Sequence, residues 1–203
     1  MRQQIPTAVN GKVAPPRRRP NRDSRTREYL TPTEVAALLE ATRVSGRHGH
    51  RDRTLLLLMY RHGLRLGEAV ALRWEQIDLK AGLLCVQRLK NGVEVTHPLR
   101  RPELSALRQL GRDWPDGPYL FVSERGGPMT TSNVRKLVAR LGIAAQLAFP
   151  VHPHMLRHAC GYKLANDGHD TRSLQHYLGH KNIMHTVRYT EMAPGRFKGF
   201  WRD

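Results

Sequence analysis

Cysteine and long apolar runs are what this sequence most lacks, and each shortage excludes a class of protein. Its two cysteines, Cys85 and Cys160, fit no metal-binding or redox spacing, so we expect buried free thiols in a reducing cytoplasm. No apolar run approaches the ~18 residues of a membrane span. The N-terminus also lacks the apolar stretch of a signal peptide. The sequence therefore predicts a cytoplasmic protein with no membrane partner.

Acidic residues are also scarce, at 17 against 34 Lys and Arg, which gives a formal net charge of +17. The excess is not confined to one end, because the chain after residue 28 is basic as well. Such a charge favours a polyanionic partner, most simply nucleic acid, although a merely basic protein would have the same composition. We expect the folded part itself to present a basic face.

Residues 1–28 are rich in Pro, Arg and Asn and have almost no apolar periodicity. We interpret them as a disordered basic arm. Arg17, Arg18 and Arg19 are its candidate DNA contacts, with a solvated tail as the alternative. The remaining residues, 29–203, are enough for one domain with a sizeable core.

Helical signals dominate that domain. The capping box Thr31-Pro32-Thr33-Glu34 predicts a helix over 32–43. Six further helices are predicted over residues 66–72, 102–112, 131–141, 153–167, 170–177 and 182–191, and an apolar core helix over 51–62. Three strands are predicted at 77–79, 83–86 and 93–96, with Asn91-Gly92 as a hairpin turn. The fold class is therefore mixed α+β, mostly helical, with a small three-stranded antiparallel sheet.

Two arginines are placed to hold a phosphate. A phosphodiester carries negative charge that grows when a nucleophile attacks, and the fork of an arginine fits phosphate geometry. Arg65 follows a helix stop at Gly63 and begins the next helix, where backbone amides also favour an anion. His154 and Arg157 are three residues apart, so they share a helix face and could grip one phosphate. Each alone would be an ordinary surface or core residue.

Further side chains could supply a nucleophile and a proton. Tyr189 could attack phosphorus if neighbouring cations activated its phenol, whose ordinary pKa is near ~10. His180 follows Gly179, a predicted helix stop, and could point into a cleft. Lys90 at the hairpin turn could reach a DNA groove and protonate a leaving oxygen, with Arg88 as a rival for that reach. His158 should point away from Arg157, and we interpret it as a packed histidine bonding backbone.

In order along the chain, these residues resemble the signature of the tyrosine recombinases, the phage-integrase superfamily. The positions that match it are Arg65, Lys90, His154, Arg157, His180 and Tyr189, with Glu68 as the acidic partner of the first arginine. Segments 88–92, 97–99, 152–161, 177–183 and 185–190 are further similar to the Fim-type fimbrial phase-variation recombinases. The resemblance covers about residues 29–203.

The resemblance implies a mechanism that needs no metal, ATP or other cofactor. Tyr189 would attack the scissile phosphate, leaving a 3′-phosphotyrosine and a free 5′-hydroxyl. The two arginines and two histidines of the signature would hold the phosphoryl group, and His154 could also manage the tyrosine proton. Lys90 would protonate the leaving 5′-oxygen.

The resemblance also implies partners: double-stranded DNA with inverted-repeat sites, further copies of the chain in a tetramer, and accessory DNA-bending proteins. Because family tetramers usually exchange C-terminal segments, Phe197, Phe200 and Trp201 are candidate oligomer contacts. Most integrases carry a separate core-binding domain before the catalytic one. None is expected here, so a lone monomer should bind DNA weakly.

Several functions stay open beside inversion of a DNA segment in phase variation. They are an integrase or excisionase of a mobile element, a topoisomerase of type IB, and a non-catalytic DNA-binding regulator with a relic site. A zinc enzyme is a further alternative, because His154 and His158 have the i, i+4 spacing of a helical metal pair. The glutamate expected beside the first histidine of a zinc motif is replaced by Met155, which argues against it.

Overall fold

The computed structural model describes residues 27–88, 94–191 and 193. The described residues form eight α-helices and three short strands, and a 3₁₀ turn at Trp74–Gln76. The helices are α1 Pro32–Ala41, α2 Gly49–Arg61, α3 Leu66–Val70, α4 Arg101–Asp113, α5 Thr131–Ala144, α6 Pro153–Asn166, α7 Thr171–Leu178 and α8 Met184–Glu191. The strands are β1 Ile77–Asp78, β2 Leu83–Gln87 and β3 Glu94–Pro98. The predicted fold class is confirmed.

Local capping explains where the helices begin. At α1 the Glu34 carboxylate accepts from the Thr31 backbone N–H at 2.8 Å, and the Thr31 hydroxyl accepts from the Glu34 N–H at 3.3 Å, as the capping box predicts. Helix α8 begins two residues later than predicted, because Asn182 caps it: its side-chain oxygen accepts from the Met184 N–H at 2.9 Å.

Helix α5 runs three residues beyond its predicted end. It passes through Gly142, which packs directly on Val151; a Cβ at Gly142 would lie only 2.7 Å from a methyl carbon of that valine. Glycine in a helix is tolerated here because it permits this close approach. The contact ties α5 to the segment that leads into α6.

The sheet is antiparallel in the order β1-β2-β3. Leu84 of β2 pairs with His97 of β3, and both side chains are buried. Val86 points to the same inner face, as the two-residue period of a strand requires. Cys85 points the other way and is only half-buried, with its thiol 2.6 Å from the Glu94 carboxylate. The prediction of a buried thiol is confirmed for Cys160 and wrong for Cys85.

Helix α2 is the centre of the main core. Its side chains Leu55, Leu56, Leu58 and Met59 are fully buried, and the helix packs against α1, α4 and α6. A second, smaller apolar cluster lies among α6, α7 and α8 and includes Tyr189. None of the described helices is long and apolar enough to cross a membrane.

Two buried histidines join the core to the sheet. His62, at the end of α2, lies 3.2 Å from His97 through their Nδ1 atoms, and its Nε2 lies 2.8 Å from a carboxylate oxygen of Glu103 in α4. His97 also stacks on the ring of Tyr177, with centroids 4.0 Å apart. Burial, reinforced by the charges of His62 and Arg88, lowers the pKa of His97 to about 3.

This pKa predicts an acid-sensitive fold. His97 takes up its proton near pH 6.5 in the unfolded chain but only near pH 3 in the folded one. Its contribution to stability is therefore complete above pH 6.5 and is lost as the pH falls toward 3, by about 1.4 kcal/mol per pH unit. Urea unfolding at several pH values should show this slope. In a His97→Gln variant the free energy of unfolding should change less steeply with pH, by the slope that corresponds to about one proton. An unchanged slope would contradict the assignment to His97.

Candidate active site

The C-terminal end of α7 is the centre of the candidate site. Gly179 ends the helix in the left-handed conformation, with φ +62°, as a helix stop requires. The N–H of His180 donates to the Gln175 carbonyl and that of Gly179 to the His176 carbonyl, both at 3.0 Å. This Schellman arrangement uses the carbonyls of residues 175 and 176, so those of residues 177–179 need other partners.

Three arginines bind these three carbonyls, one each. Arg88 donates to the carbonyl of residue 177, Arg157 to that of 178 at 2.5 Å, and Arg65 to that of 179 at 3.1 Å. The arginines come from distant parts of the chain: the end of β2, the middle of α6 and the start of α3. The negative end of the α7 dipole favours guanidinium groups at this place. We call this arrangement the carbonyl row.

Glu68 of α3 joins two of these arginines. Its Oε1 accepts from Arg65 Nη1 at 2.7 Å, while its Oε2 accepts from the Arg65 backbone N–H and from Arg88 Nη1, both at 2.8 Å. Burial alone would raise the pKa of Glu68, but the hydrogen bonds from Arg65 and the Arg88 charge outweigh burial and lower it. The carboxylate is therefore ionised at neutral pH and fixes the Arg65 guanidinium.

Arg157 is almost fully enclosed, at 1% exposed. Besides the carbonyl row it donates to the Gly63 carbonyl, so it bridges α7 and the turn before α3. Burial, with the nearby charges of Arg65 and Arg88, lowers its pKa to about 10. It therefore stays cationic at neutral pH, and the carbonyls that it and Arg65 bind belong to adjacent residues, 178 and 179.

The charges of this group do not balance. Three guanidiniums and the Glu68 carboxylate leave two net positive charges among these side chains. Backbone carbonyls orient the arginines without cancelling their charge. A phosphodiester brings one negative charge, and attack by an anionic nucleophile brings a second. The cluster therefore matches a pentacoordinate phosphoryl group in charge.

The surroundings of the two signature histidines lower the pKa of each, so both are neutral at pH 7. His180 is held through Nδ1, 2.8 Å from the buried Thr186 hydroxyl, which leaves Nε2 as the nitrogen for a phosphate contact. Desolvation and the Arg157 charge lower the pKa of His180 to about 3 and that of the more accessible His154 to about 4. Within the ranges that the structure describes, no three His, Cys, Asp or Glu side chains form a group able to hold a metal ion.

Tyr189 is 1% exposed, and its hydroxyl lies 2.8 Å from His158 Nδ1. The interpretation of His158 as bonding backbone is therefore wrong: its partner is the tyrosine, brought onto α6 by α8. Burial raises the pKa of Tyr189 to about 12, although the Arg157 charge lowers it in part. Gly161 makes room, because a Cβ there would lie 2.6 Å from the tyrosine ring. The free protein thus holds a neutral, shielded phenol.

One predicted DNA contact is buried in the site itself, and seven other candidates fall outside the described residues. Arg88 is buried against Glu68, with no exposed side-chain surface, so the prediction that it contacts DNA does not fit this structure. The seven candidates outside the described residues are Lys90, Arg17, Arg18, Arg19, Phe197, Phe200 and Trp201.

The sequence reasoning missed a basic face on α5. The helix has no acidic residue, and its exposed side chains include Arg135, Lys136 and Arg140. Ile143, 80% exposed, continues the same face one turn further along. Lys136 and Arg140 also line an open depression together with Arg47 and Arg125. The sequence does contain a signal for this face, because the 14 residues of the helix include no acidic side chain.

Gly179 offers a test of this packing. A Cβ at Gly179 would lie 2.8 Å from two Arg88 side-chain atoms, whereas one at Gly168 (φ +91°) would meet nothing within 4 Å. Both alanine variants carry the left-handed strain, about 1–2 kcal/mol, and only Gly179→Ala adds overpacking, about 1–3 kcal/mol. Urea unfolding should therefore give Gly179→Ala a clearly lower free energy of unfolding than Gly168→Ala. Equal losses of stability would mean that the Arg88 side chain moves aside at no cost.

Comparison with known proteins agrees with this geometry. Residues 28–196 match the model of the phage integrase family. The chain is 44% identical to the type 1 fimbriae regulatory protein FimE of Escherichia coli K12, over 86% of this chain and 91% of that protein. It is 42% identical to FimB of the same strain, over 88% and 92%. The crystal structure of XerA recombinase superposes with a TM-score of 0.72 at 26% identity, over 85% of this chain and 63% of that one. The chain therefore belongs to the phage integrase family and is a tyrosine recombinase of the Fim type.

Proposed function

We propose that this recombinase inverts a DNA segment between inverted repeats, with Tyr189 as the nucleophile. The observation that carries the proposal is the carbonyl row: it gathers Arg65 and Arg157 with two uncancelled positive charges beside a buried tyrosine. This arrangement suits one phosphodiester and the charge that develops on it. The similarity to FimE and FimB supports inversion over other rearrangements.

In the proposed reaction the scissile phosphate binds to Arg65 and Arg157, with His180 Nε2 donating to one oxygen. Tyr189 transfers its proton to His154, which is neutral before the reaction, and its oxygen bonds phosphorus while the bond from phosphorus to the 5′-oxygen breaks. Lys90 supplies the proton that the leaving oxygen takes up. The 5′-hydroxyl of another strand then reverses these steps, so the phosphodiester count is conserved and no ATP is required.

The resting structure adds a step before chemistry. Tyr189 is shielded and bonded to His158, so α8 has to move, or the tyrosine side chain has to turn, before the oxygen reaches a phosphate in the arginine cluster. We propose that DNA binding and assembly supply this movement. Tetramer formation through Phe197, Phe200 and Trp201, help from DNA-bending proteins and contacts by the basic arm at residues 1–28 belong to the same proposal.

The α5 face is the proposed DNA contact of the folded domain. We expect an Arg135→Gln/Arg140→Gln variant to bind duplex DNA more weakly and to reduce the slope of log K against log salt by about one to two. Fluorescence anisotropy with a labelled duplex measures this. An Arg101→Gln/Arg112→Gln variant makes the same charge change on exposed residues of α4 and serves as control. Equal effects of the two variants would mean that only net charge matters.

Covalent trapping tests the function as a whole. The protein is mixed with DNA from the neighbourhood of its own gene and quenched with detergent, and protein-linked fragments are sequenced. Adducts at one inverted-repeat pair, with inversion of the DNA between them on a plasmid, support the proposal. Excision or insertion at the site would indicate an integrase, and scattered adducts with plasmid relaxation a topoisomerase. DNA binding without any adduct would indicate a regulator.

A further inference from the structure

Arg88 is a charged side chain with no exposed surface, on a domain whose other cations mostly face solvent. It continues the inner face of β2 after Leu84 and Val86. A buried guanidinium is unfavourable unless it is paired and hydrogen-bonded. Arg88 is paired with Glu68 and donates to the carbonyls of His62 and Tyr177. It therefore connects α2, α3 and α7 to the sheet.

Its first connection leads to Arg65. Arg88 and the Arg65 backbone N–H share the Oε2 atom of Glu68, while Arg65 Nη1 holds Oε1. Both carboxylate oxygens are thus fixed, and the plane of the carboxylate sets the direction of the Arg65 guanidinium. Removal of Arg88 takes away one of the two side chains that hold the Glu68 carboxylate, so the direction of the Arg65 guanidinium is less well fixed.

Its second connection leads to His180. The Arg88 side chain lies under the turn at Gly179, so close that a Cβ there would be 2.8 Å from Arg88 Cγ and Nε. The bond from Arg88 to the Tyr177 carbonyl holds the same turn from inside. His180 follows directly, and Gly179 provides the carbonyl that Arg65 binds.

We propose that Arg88 is a positioning residue for the phosphate site, which sets Arg65 through Glu68 and His180 through the end of α7. The inference rests on the proposed function, because it assumes that Arg65 and His180 bind the scissile phosphate. Arg88 does not touch DNA, so it acts on the rate of cleavage and not on DNA affinity.

The test is single-turnover cleavage of a duplex that carries a site mapped by covalent trapping, at saturating protein. We expect Arg88→Met, which keeps the bulk without the charge, to cleave about 100-fold more slowly, as a displacement near 1 Å would cause. DNA affinity should stay within about twofold, since no phosphate contact is lost. Arg88→Lys keeps the charge and should recover part of the rate.

A second substrate separates positioning from general damage. When a methylphosphonate replaces the scissile phosphate, one negative charge is removed and the site depends less on Arg65. We expect the defect of Arg88→Met to shrink below about tenfold on this duplex, in parallel with that of Arg65→Met. Circular dichroism verifies that the variants fold; if Arg88→Met does not, Arg88→Lys carries the same comparison.

Equal losses on the two duplexes would overturn the inference, as would a wild-type rate in Arg88→Met. A loss of DNA affinity at an unchanged rate would overturn it in favour of a DNA contact. A wild-type protein that forms no adduct on any duplex would contradict the proposed function itself, a result that is separate from every behaviour of the Arg88 variants.

Discussion

Tyr189→Phe should form no covalent adduct with DNA while it still binds DNA. The substitution removes only the oxygen that bonds phosphorus and keeps the buried ring, so the surface that meets DNA should not change. The loss of cleavage should be at least about 10⁴-fold, as when an enzyme loses its nucleophile. Denaturing gels of protein mixed with labelled duplex measure the adduct, and anisotropy measures binding.

The neighbouring Tyr162 provides the control. Its ring packs edge-on against that of Tyr189, with centroids 4.9 Å apart. Tyr162→Phe therefore removes a hydroxyl from the same apolar cluster and leaves the Tyr189 hydroxyl in place. We expect its adduct to persist. Tyr189→Phe also leaves His158 Nδ1 without its partner, which should cost about 1 kcal/mol of stability. An adduct in Tyr189→Phe would assign the nucleophile to another residue.

Arg157→Ala should lose both stability and activity. The guanidinium binds the carbonyls of Gly63 and Leu178 in the interior, so its removal leaves two buried acceptors unpaired and opens a cavity. Together these should cost about 3–5 kcal/mol of the free energy of unfolding. Cleavage should fall by about 10²–10³-fold, because one cation of the phosphate site is gone.

Arg157→Lys separates the two losses. Lysine keeps a positive charge, but a single ammonium cannot reach two carbonyls in the directions that the fork of the arginine reaches. We expect part of the stability to return, because one carbonyl regains a donor and the cavity is partly filled, and most of the rate loss to remain. Urea unfolding and single-turnover cleavage measure the two quantities. If the rate recovers together with stability, Arg157 contributes charge alone.

The sequence predicted the elements that short-range rules govern. The capping box at Thr31 and the stop at Gly179 depend on neighbours within a few residues, and both are confirmed. The spacing of His154 and Arg157 on one helix was legible for the same reason. The choice of catalytic residues came from the family resemblance, because periodicity alone does not distinguish these side chains from ordinary core or surface residues.

The sequence reasoning failed where the partner comes from a distant element. His158 was correctly expected to point away from Arg157, but only the packing of α8 on α6 shows that it meets Tyr189. Arg88 was assigned to DNA by its charge. The inward alternation of Leu84 and Val86 predicts a buried side chain at position 88, and Glu68 makes burial of a cation possible.

The carbonyl row has a consequence for how the activity is encoded in this chain. Helix α7 contributes backbone oxygens to the arginines, and every residue type has one, so these three bonds depend on where the helix ends and not on which side chains it carries. In the sequence, this binding element is marked by Gly179 alone, the residue at which the helix ends. Transplanting the activity to another scaffold requires copying a helix terminus, a feature that no list of catalytic side chains contains.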